Sequence, residues 1–274
     1  MGKATFYLPK NRALLNPDHT MGDEEGIYFS FKSDMDAIVR IVPPQLKPAM
    51  PIVSGYIVDI RKPAFAKPYR EAMLGVYVDY QGTVGMYPIA FLLDGDGTEM
   101  AILPGREQFG LPKKSCGSDG GIRIERDGDR LHGIAERRGV RLMDVSIKLG
   151  KYNDPSCGPL YFDPEPGKRT GGTSFYYTYA IEPDEKGCLV FARTNLLVNE
   201  LEYHYETWLP GEVSVQLESS VDDPWGELPV LESLGGALSC NTLEMQSVRI
   251  AEHPDPAEVM PYLMTTRYDS EALL

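Results

Sequence analysis

The chain of 274 residues carries 40 acidic against 27 basic side chains, a formal net charge of −13. Such a field repels a phosphate backbone and an anionic lipid surface, so neither nucleic acid nor membrane is expected as a partner. Four cysteines (Cys116, Cys157, Cys188, Cys240) stand far apart without C-x-x-C or zinc-like spacing, which fits reduced thiols. The opening MGKATFYLPKNRALL lacks the apolar core of a signal peptide, and no later stretch is long and apolar enough to span a bilayer. A cytoplasmic protein is the expectation.

Taken in chain order, GIYFSFKS (26–33) alternates as a strand, and SDMDAIVRIVP (33–43) predicts a short helix stopped at Pro43. EAMLGVYVDYQ (71–81) is a strand, and MYPIAFLLD (86–94) is more continuously apolar, as expected of a strand covered on both faces. D-G-D-G-T-E (94–99) predicts a hairpin turn, having neither the spacing nor the terminal Glu of a calcium loop. VRLMDVSIKL (140–149), TSFYYTYAIE (173–182), CLVFARTNLLV (188–198) and GEVSVQLES (211–219) are further strands, with a long turn-rich loop at 152–172. A helix is expected over part of 226–236 and another over 255–264, broken at Pro261. No repeat or linker divides the chain, so one antiparallel β-rich, α+β domain spanning 1–274 is expected.

Chemistry-bearing groups are sparse. Glu202, His204 and Glu206 would share one face of a strand, but without H-x-H or H-E-x-x-H spacing no metal is expected. Cys116 lies two residues after Lys114, where a cation can lower a thiol pKa, yet no His stands near it in sequence. GREQFGLPKK (105–114) sets a lysine pair beside an apolar run. An ordinary lysine is neutral in about one molecule in 2,500 at pH 7, and making it half neutral requires destabilising its ammonium by about 4.6 kcal/mol. Burial and a neighbouring cation are the available means, and the motif hints at both.

The order SDMDAIVRIVPPQL (33–46), PYREAMLGVYVDYQGTVGMYPIAFLLD (68–94), GREQFGLPKK (105–114) and LPGEVSVQL followed by DPWGELPVLE (209–232) resembles the acetoacetate decarboxylase superfamily over most of the chain. The resemblance implies a closed antiparallel double-cone β-barrel with a few peripheral helices, assembled as a homo-oligomer. By motif, Lys113 matches the lysine that forms a Schiff base with a substrate ketone. Lys114 matches the second lysine, proposed to help depress the pKa of the first, and Glu71 the proton-transferring glutamate. Arg106 and Glu107 match the Gly-Arg-Glu turn, with a structural ion pair at least as expected as catalysis.

Counted without gaps, the arginine of true decarboxylases falls at Glu24 and their other active-site glutamate at Tyr56, so decarboxylation loses its usual carboxylate-handling cation. The preferred expectation is a lyase forming an imine on Lys113 with a small keto acid. Its reaction would be that of an aldolase or aldolase-dehydratase joining a pyruvate-like donor to an aldehyde. Glu71 would shuttle the proton, and Tyr56, Tyr87, Glu24 and Phe109 would shape the pocket. Decarboxylation of acetoacetate or another β-keto acid is the alternative, and a non-catalytic small-molecule-binding barrel is the reading of another class. No cofactor is required, because the protonated imine is itself the electron sink.

Overall fold

The computed structural model describes residues 18–161 and 164–272, so the N-terminal MGKATFYLPKNRALL lies outside the described residues. Strands β1 (Met21–Lys32), β2 (Lys47–Pro63), β3 (Tyr69–Tyr80) and β4 (Thr83–Asp94) pair in succession, each antiparallel to the last. The short β5 (Lys113–Ser115) lies parallel to β4, with Phe91 opposite Lys113 and Leu92 opposite Lys114. β6 (Gly121–Asp127), β7 (Arg130–Arg137) and β8 (Val140–Leu149) form an antiparallel meander whose last strand joins the long β10 (Leu189–Leu217).

β9 (Arg169–Pro183) runs along β10 and meets β4 through the parallel bridge Met86–Ser174. β11 (Glu232–Glu252) pairs with β10 on one edge and β1 on the other. The strands β11-β1-β2-β3-β4-β9-β10 therefore form a hydrogen-bonded ring, with β8-β7-β6 continuing off β10. The molecule is mostly strand with few helices, as the two-residue periodicity predicts.

Strand alternation divides the interior into two apolar clusters. Ile27, Phe29, Ala72, Leu74 and Leu92 point into one; Tyr28, Tyr56, Met73, Phe91 and Leu93 point into the other. Both faces of these strands are covered, which is why MYPIAFLLD and its neighbours are continuously apolar. Full burial of a side chain such as Phe29 or Leu74 contributes about 1.5–3 kcal/mol.

Helix α1 (Met35–Ile41) starts where predicted, with Asp34 rather than Ser33 as the cap, its Oδ1 accepting from the Ala37 N–H at 2.8 Å. Four expectations fail. The glycines of D-G-D-G-T-E serve a strand-to-helix junction, with the Gly97 N–H donating to Pro68 O at 3.0 Å, and helix α2 (Thr98–Phe109) follows. Over 226–236 there is only a 3₁₀ turn, Trp225–Glu227, before β11 begins at Glu232, since Pro229 and the β-branched Val230 favour extended chain. A short helix, α3 (Cys157–Leu160), interrupts the loop at 152–172. Helix α4 (Pro256–Leu263) continues through Pro261, held by its Asp255 cap and the buried Val259 and Leu263. No helix among the described residues is long and apolar enough to cross a membrane.

Candidate active site

Lys113 opens β5, and its side chain passes into the second apolar cluster, 3 % exposed. The run before it explains how it is held there. Helix α2 ends at Gly110, whose φ of 68° is left-handed and whose N–H donates to Arg106 O at 3.1 Å, while the Leu111 N–H returns to Gly105 O at 3.0 Å. A Cβ on Gly110 would stand 1.9 Å from Tyr177 O, so only glycine fits. Gly105, one turn earlier, lets the helix approach the lysine stem: a Cβ there would lie 3.0 Å from Lys113 Cδ. Pro112 O accepts from the Phe91 N–H at 3.0 Å, seating the strand against β4. Phe109 and Leu111 then wall the cavity into which Lys113 projects.

Two carboxylates and two tyrosines surround the amine. Glu71, buried on β3, places Oε2 2.8 Å from Lys113 Nζ, and Tyr56 on β2 donates to Glu71 Oε1 at 2.7 Å. The rings of Phe91 and Tyr69 stand 5.4 Å and 5.7 Å from Nζ, adding cation–π attraction to an amine otherwise cut off from water. Glu24 on β1 is 1 % exposed and accepts a hydrogen bond from Tyr28, whose hydroxyl accepts in turn from Asn241 Nδ2 at 3.0 Å. Burial, reinforced by the charge of Glu71, pushes the Glu24 carboxyl up to about 7 against the opposing pull of the Tyr28 hydrogen bond. Two carboxyl groups near one amine are thus held in different environments, the arrangement that separates acid from base.

The cavity at Lys113, about 90 Å³, is lined mainly by apolar groups such as Met21, Phe65, Met73, Phe91, Phe109 and Leu243. A second cavity of about 130 Å³ adjoins it and is richer in hydroxyls, with Tyr28, Tyr77, Tyr161 and Tyr205 in its wall. The two share Tyr56, Met73, Met86, Ser174, Leu201 and Tyr203. Methionine side chains are pliable, so this common wall is one that an elongated ligand can part. Among the described residues, Lys113 is the only Lys or Arg that lines either cavity.

The structure brings Lys113, Glu71, Tyr56 and Phe109 together in the cavity wall, sets Glu24 behind Tyr28 where it lines neither cavity, and sends four other expected residues elsewhere. Lys114 follows Lys113 on a strand and therefore faces the opposite way. Its Nζ donates to Asp222 O at 2.8 Å and lies 3.2 Å and 3.3 Å from carboxylate oxygens of Asp223 and Asp269. Those carboxylates, which also bind Arg137, engage the charge that the sequence reading aimed at Lys113. Tyr87 alternates with Met86 and Pro88, so it lines a separate cavity beside Lys114 and Trp225. Arg106 sits 4.9 Å above the Tyr268 ring and Glu107 is exposed; neither lines the Lys113 cavity.

Burial drives the Cys116 thiol up to about 12, outweighing the nearby Arg137, which fits the inert thiol that the missing His partner points to. His204 Nε2 lies 2.9 Å from Glu202 Oε1 and 3.6 Å from Glu244 Oε2, while Glu206 faces Cys240. Glu244, across the ladder on β11, therefore takes the place expected of Glu206, and Arg169 already binds the same Glu202 oxygen at 2.9 Å. Residues that sequence reasoning missed are His19, packed edge-on against Phe109 at 4.8 Å in the cavity wall, and the pair Tyr28 and Asn241. None stands in a motif; only strand pairing brings Asn241 opposite Glu24.

The family model described as acetoacetate decarboxylase (ADC) matches residues 6–254. The "CLA biosynthesis isomerase" of Lactiplantibacillus plantarum is 37 % identical over 263 residues, covering 91 % of this chain and 89 % of that protein. Among solved structures, acetoacetate decarboxylase from Legionella pneumophila superposes with a TM-score of 0.72 at 18 % identity, covering 90 % of this chain and 94 % of its own. The enduracididine biosynthesis enzyme MppR, complexed with pyruvate, gives 0.66 at 16 % identity, covering 92 % and 99 %. With the buried lysine, its glutamate and the ring of strands already in place, these matches establish that the chain belongs to the acetoacetate decarboxylase family.

Proposed function

We propose that the protein is a lysine-imine enzyme acting on a ketone with an extended apolar body, and that it moves protons rather than expelling carbon dioxide, as an isomerase that shifts a double bond. The ring of strands is then the family's double-cone barrel. The observation that carries this reading is the Lys113–Glu71–Tyr56 cluster opening into a cavity that, among the described residues, has no second Lys or Arg to hold a carboxylate beside the reacting carbon. A β-keto acid or pyruvate would bring its anion against Glu71 and Glu24 with one amine to serve all three. A keto acid whose carboxylate lies far from its ketone meets no such conflict. The isomerase of L. plantarum, similar along nearly the whole chain, supports the same class of reaction.

The chemistry balances with the residues present. Glu71 takes a proton from the Lys113 ammonium, and the free amine adds to the carbonyl carbon, forming a C–N bond. The C=O π electrons move to oxygen, which takes a proton from the nitrogen; Glu71 returns its own proton to the hydroxyl so formed, water leaves, and the protonated imine draws electrons from the adjacent C–H bond as Glu71 accepts its proton. Tyr56 keeps Oε2 of Glu71 aimed at the amine throughout. In a β,γ-unsaturated ketone the product is a dienamine, and protonation at the γ carbon followed by hydrolysis gives the conjugated ketone.

Aldol condensation uses the same nucleophilic intermediate and is the second reading, favoured by the roomy hydroxyl-lined second cavity, which can seat an aldehyde. Incubation with a straight-chain β,γ-unsaturated ketone should give the conjugated enone by ultraviolet absorbance, and acetoacetate should give no acetone. Acetone without transposition would sink the proposal, and condensation of pyruvate with an aldehyde in its place would establish the second reading.

A further inference from the structure

Moving a double bond needs two proton positions: one beside the carbon that loses a proton and one beside the distant carbon that gains it. Glu71 stands at the first. The structure holds a second carboxyl group, walled off from solvent, that the imine chemistry leaves unused.

We propose that Glu24 and Tyr28 form a second, separate proton-delivery point, in which Tyr28 touches the substrate in the second cavity and Glu24 supplies its proton from behind. Tyr28 lines the second cavity but not the first, whereas Glu71 and Lys113 line the first but not the second; Tyr56 lines both. The Tyr28 and Tyr56 rings lie 5.5 Å apart, so the two points flank one shared wall. Glu24 Oε1 is hydrogen-bonded to Tyr28, while Glu24 Oε2 and Asn241 Oδ1 are buried without a hydrogen-bond partner among the described residues. A buried carboxyl retained with one unpaired oxygen costs stability, and a stored proton gives that cost a function.

The step is redox-neutral. With Glu24 protonated, its O–H donates to the Tyr28 oxygen while the Tyr28 proton passes to the γ carbon of the dienamine. A C–H bond forms, the electron pair returns to the imine, Tyr28 stays neutral and Glu24 is left as carboxylate. Glu71 releases the α proton to water before the imine is hydrolysed, and once product has left, water in the second cavity returns a proton to Glu24 through Tyr28. Glu24 is thus a positioning residue that acts through Tyr28.

The charged groups facing Glu24 are Glu71 from β3 and Lys113 from β5. The titratable hydroxyls are Tyr28 on its own strand, Tyr56 from β2, Tyr69 from β3, and Tyr203 and Tyr205 from β10. Burial raises all five tyrosines above their ordinary value and brings the Glu24 carboxyl up to about 7.

This inference rests on the imine reading above, and one experiment separates the two. A β,γ-unsaturated ketone is incubated in D₂O, and exchange at the α carbon is followed apart from deuterium arrival at the γ carbon. Glu24→Gln and Tyr28→Phe are expected to keep α exchange within about threefold of the parent while γ deuteration falls by about 100-fold or more. Parent γ deuteration should decline as pH rises through about 7, a limb absent from the residual rate of Glu24→Gln and restored by Glu24→Asp. γ deuteration unchanged in both variants, or a pH limb that survives Glu24→Gln, would overturn the second delivery point and leave the imine intact. Loss of α exchange in the parent would instead overturn the imine reading, and this inference with it. Thermal unfolding of each variant identifies one that has failed to fold, in which case the other decides.

Discussion

Glu24 is the residue at which physical cost and chemistry meet. Its carboxyl is raised to about 7 by burial, against an ordinary value of 4.5 in the unfolded chain. The folded protein therefore binds this proton more tightly, and the stability it confers is complete below about 4.5 and lost as pH rises through about 7. The loss amounts to about 3 kcal/mol at most. Glu24→Gln, which carries no charge to desolvate, should unfold at a higher temperature than the parent at pH 8 and at a similar temperature at pH 5. Equal melting temperatures at pH 8 would show that Glu24 is not the strained group described.

At this scale the sequence was informative about identity and weak about direction. Counting along motifs brings Glu24, Tyr56, Glu71 and Lys113 to one place; the structure has Tyr56, Glu71 and Lys113 in the cavity wall and Glu24 behind Tyr28. Tyr87 and Lys114 went astray because a face follows from strand parity, and parity depends on where β4 and β5 begin and on the irregularity between Leu74 and Gly75 in the β3–β4 pairing.

The element that matters most is β5. Three residues long, it divides its two lysines between two environments: Lys113 to Glu71, Lys114 to the acidic cluster that fastens Asp222, Asp223 and Asp269 to Arg137 and Arg138. Lys114 thus acts as a structural cation. Lys114→Ala should cost about 3 kcal/mol of stability by leaving buried carboxylates short of a partner. The same variant, below its melting temperature, should still form the imine on Lys113. An intact fold with no imine would restore Lys114 to the chemistry.

Strands with alternating or continuous apolar patterns were legible as elements. Helix α2 was not, because Pro104, Gly105 and Gly110 look like turn residues in isolation. Their reasons are tertiary: close approach to the Lys113 stem, and a left-handed cap pressed against Tyr177 O. The helix expected over 226–236 failed for the complementary reason, since Glu232 onward pairs with β1 and sheet pairing outweighs weak local propensity.

At the level of the whole molecule, the ring joins residues that no local window connects. Asn241 reaches Tyr28 across the β1–β11 ladder, and Ser174 meets Met86 through the bridge that links β9 to β4. The order of the family motifs was enough to infer the family, but not the paired cavities, whose walls come from all seven strands of the ring. Among the described residues their walls hold a single amine, a property of the assembled ring, and the proposed function uses it to favour ketones that carry their charge far from the reacting carbon. The measurement that tests the central claim most directly is borohydride reduction in the presence of a straight-chain ketone, followed by peptide mass mapping. The mass of the reduced ketone adduct is expected on Lys113 and not on Lys114; an unmodified Lys113, or an adduct confined to other lysines, would rule out the imine.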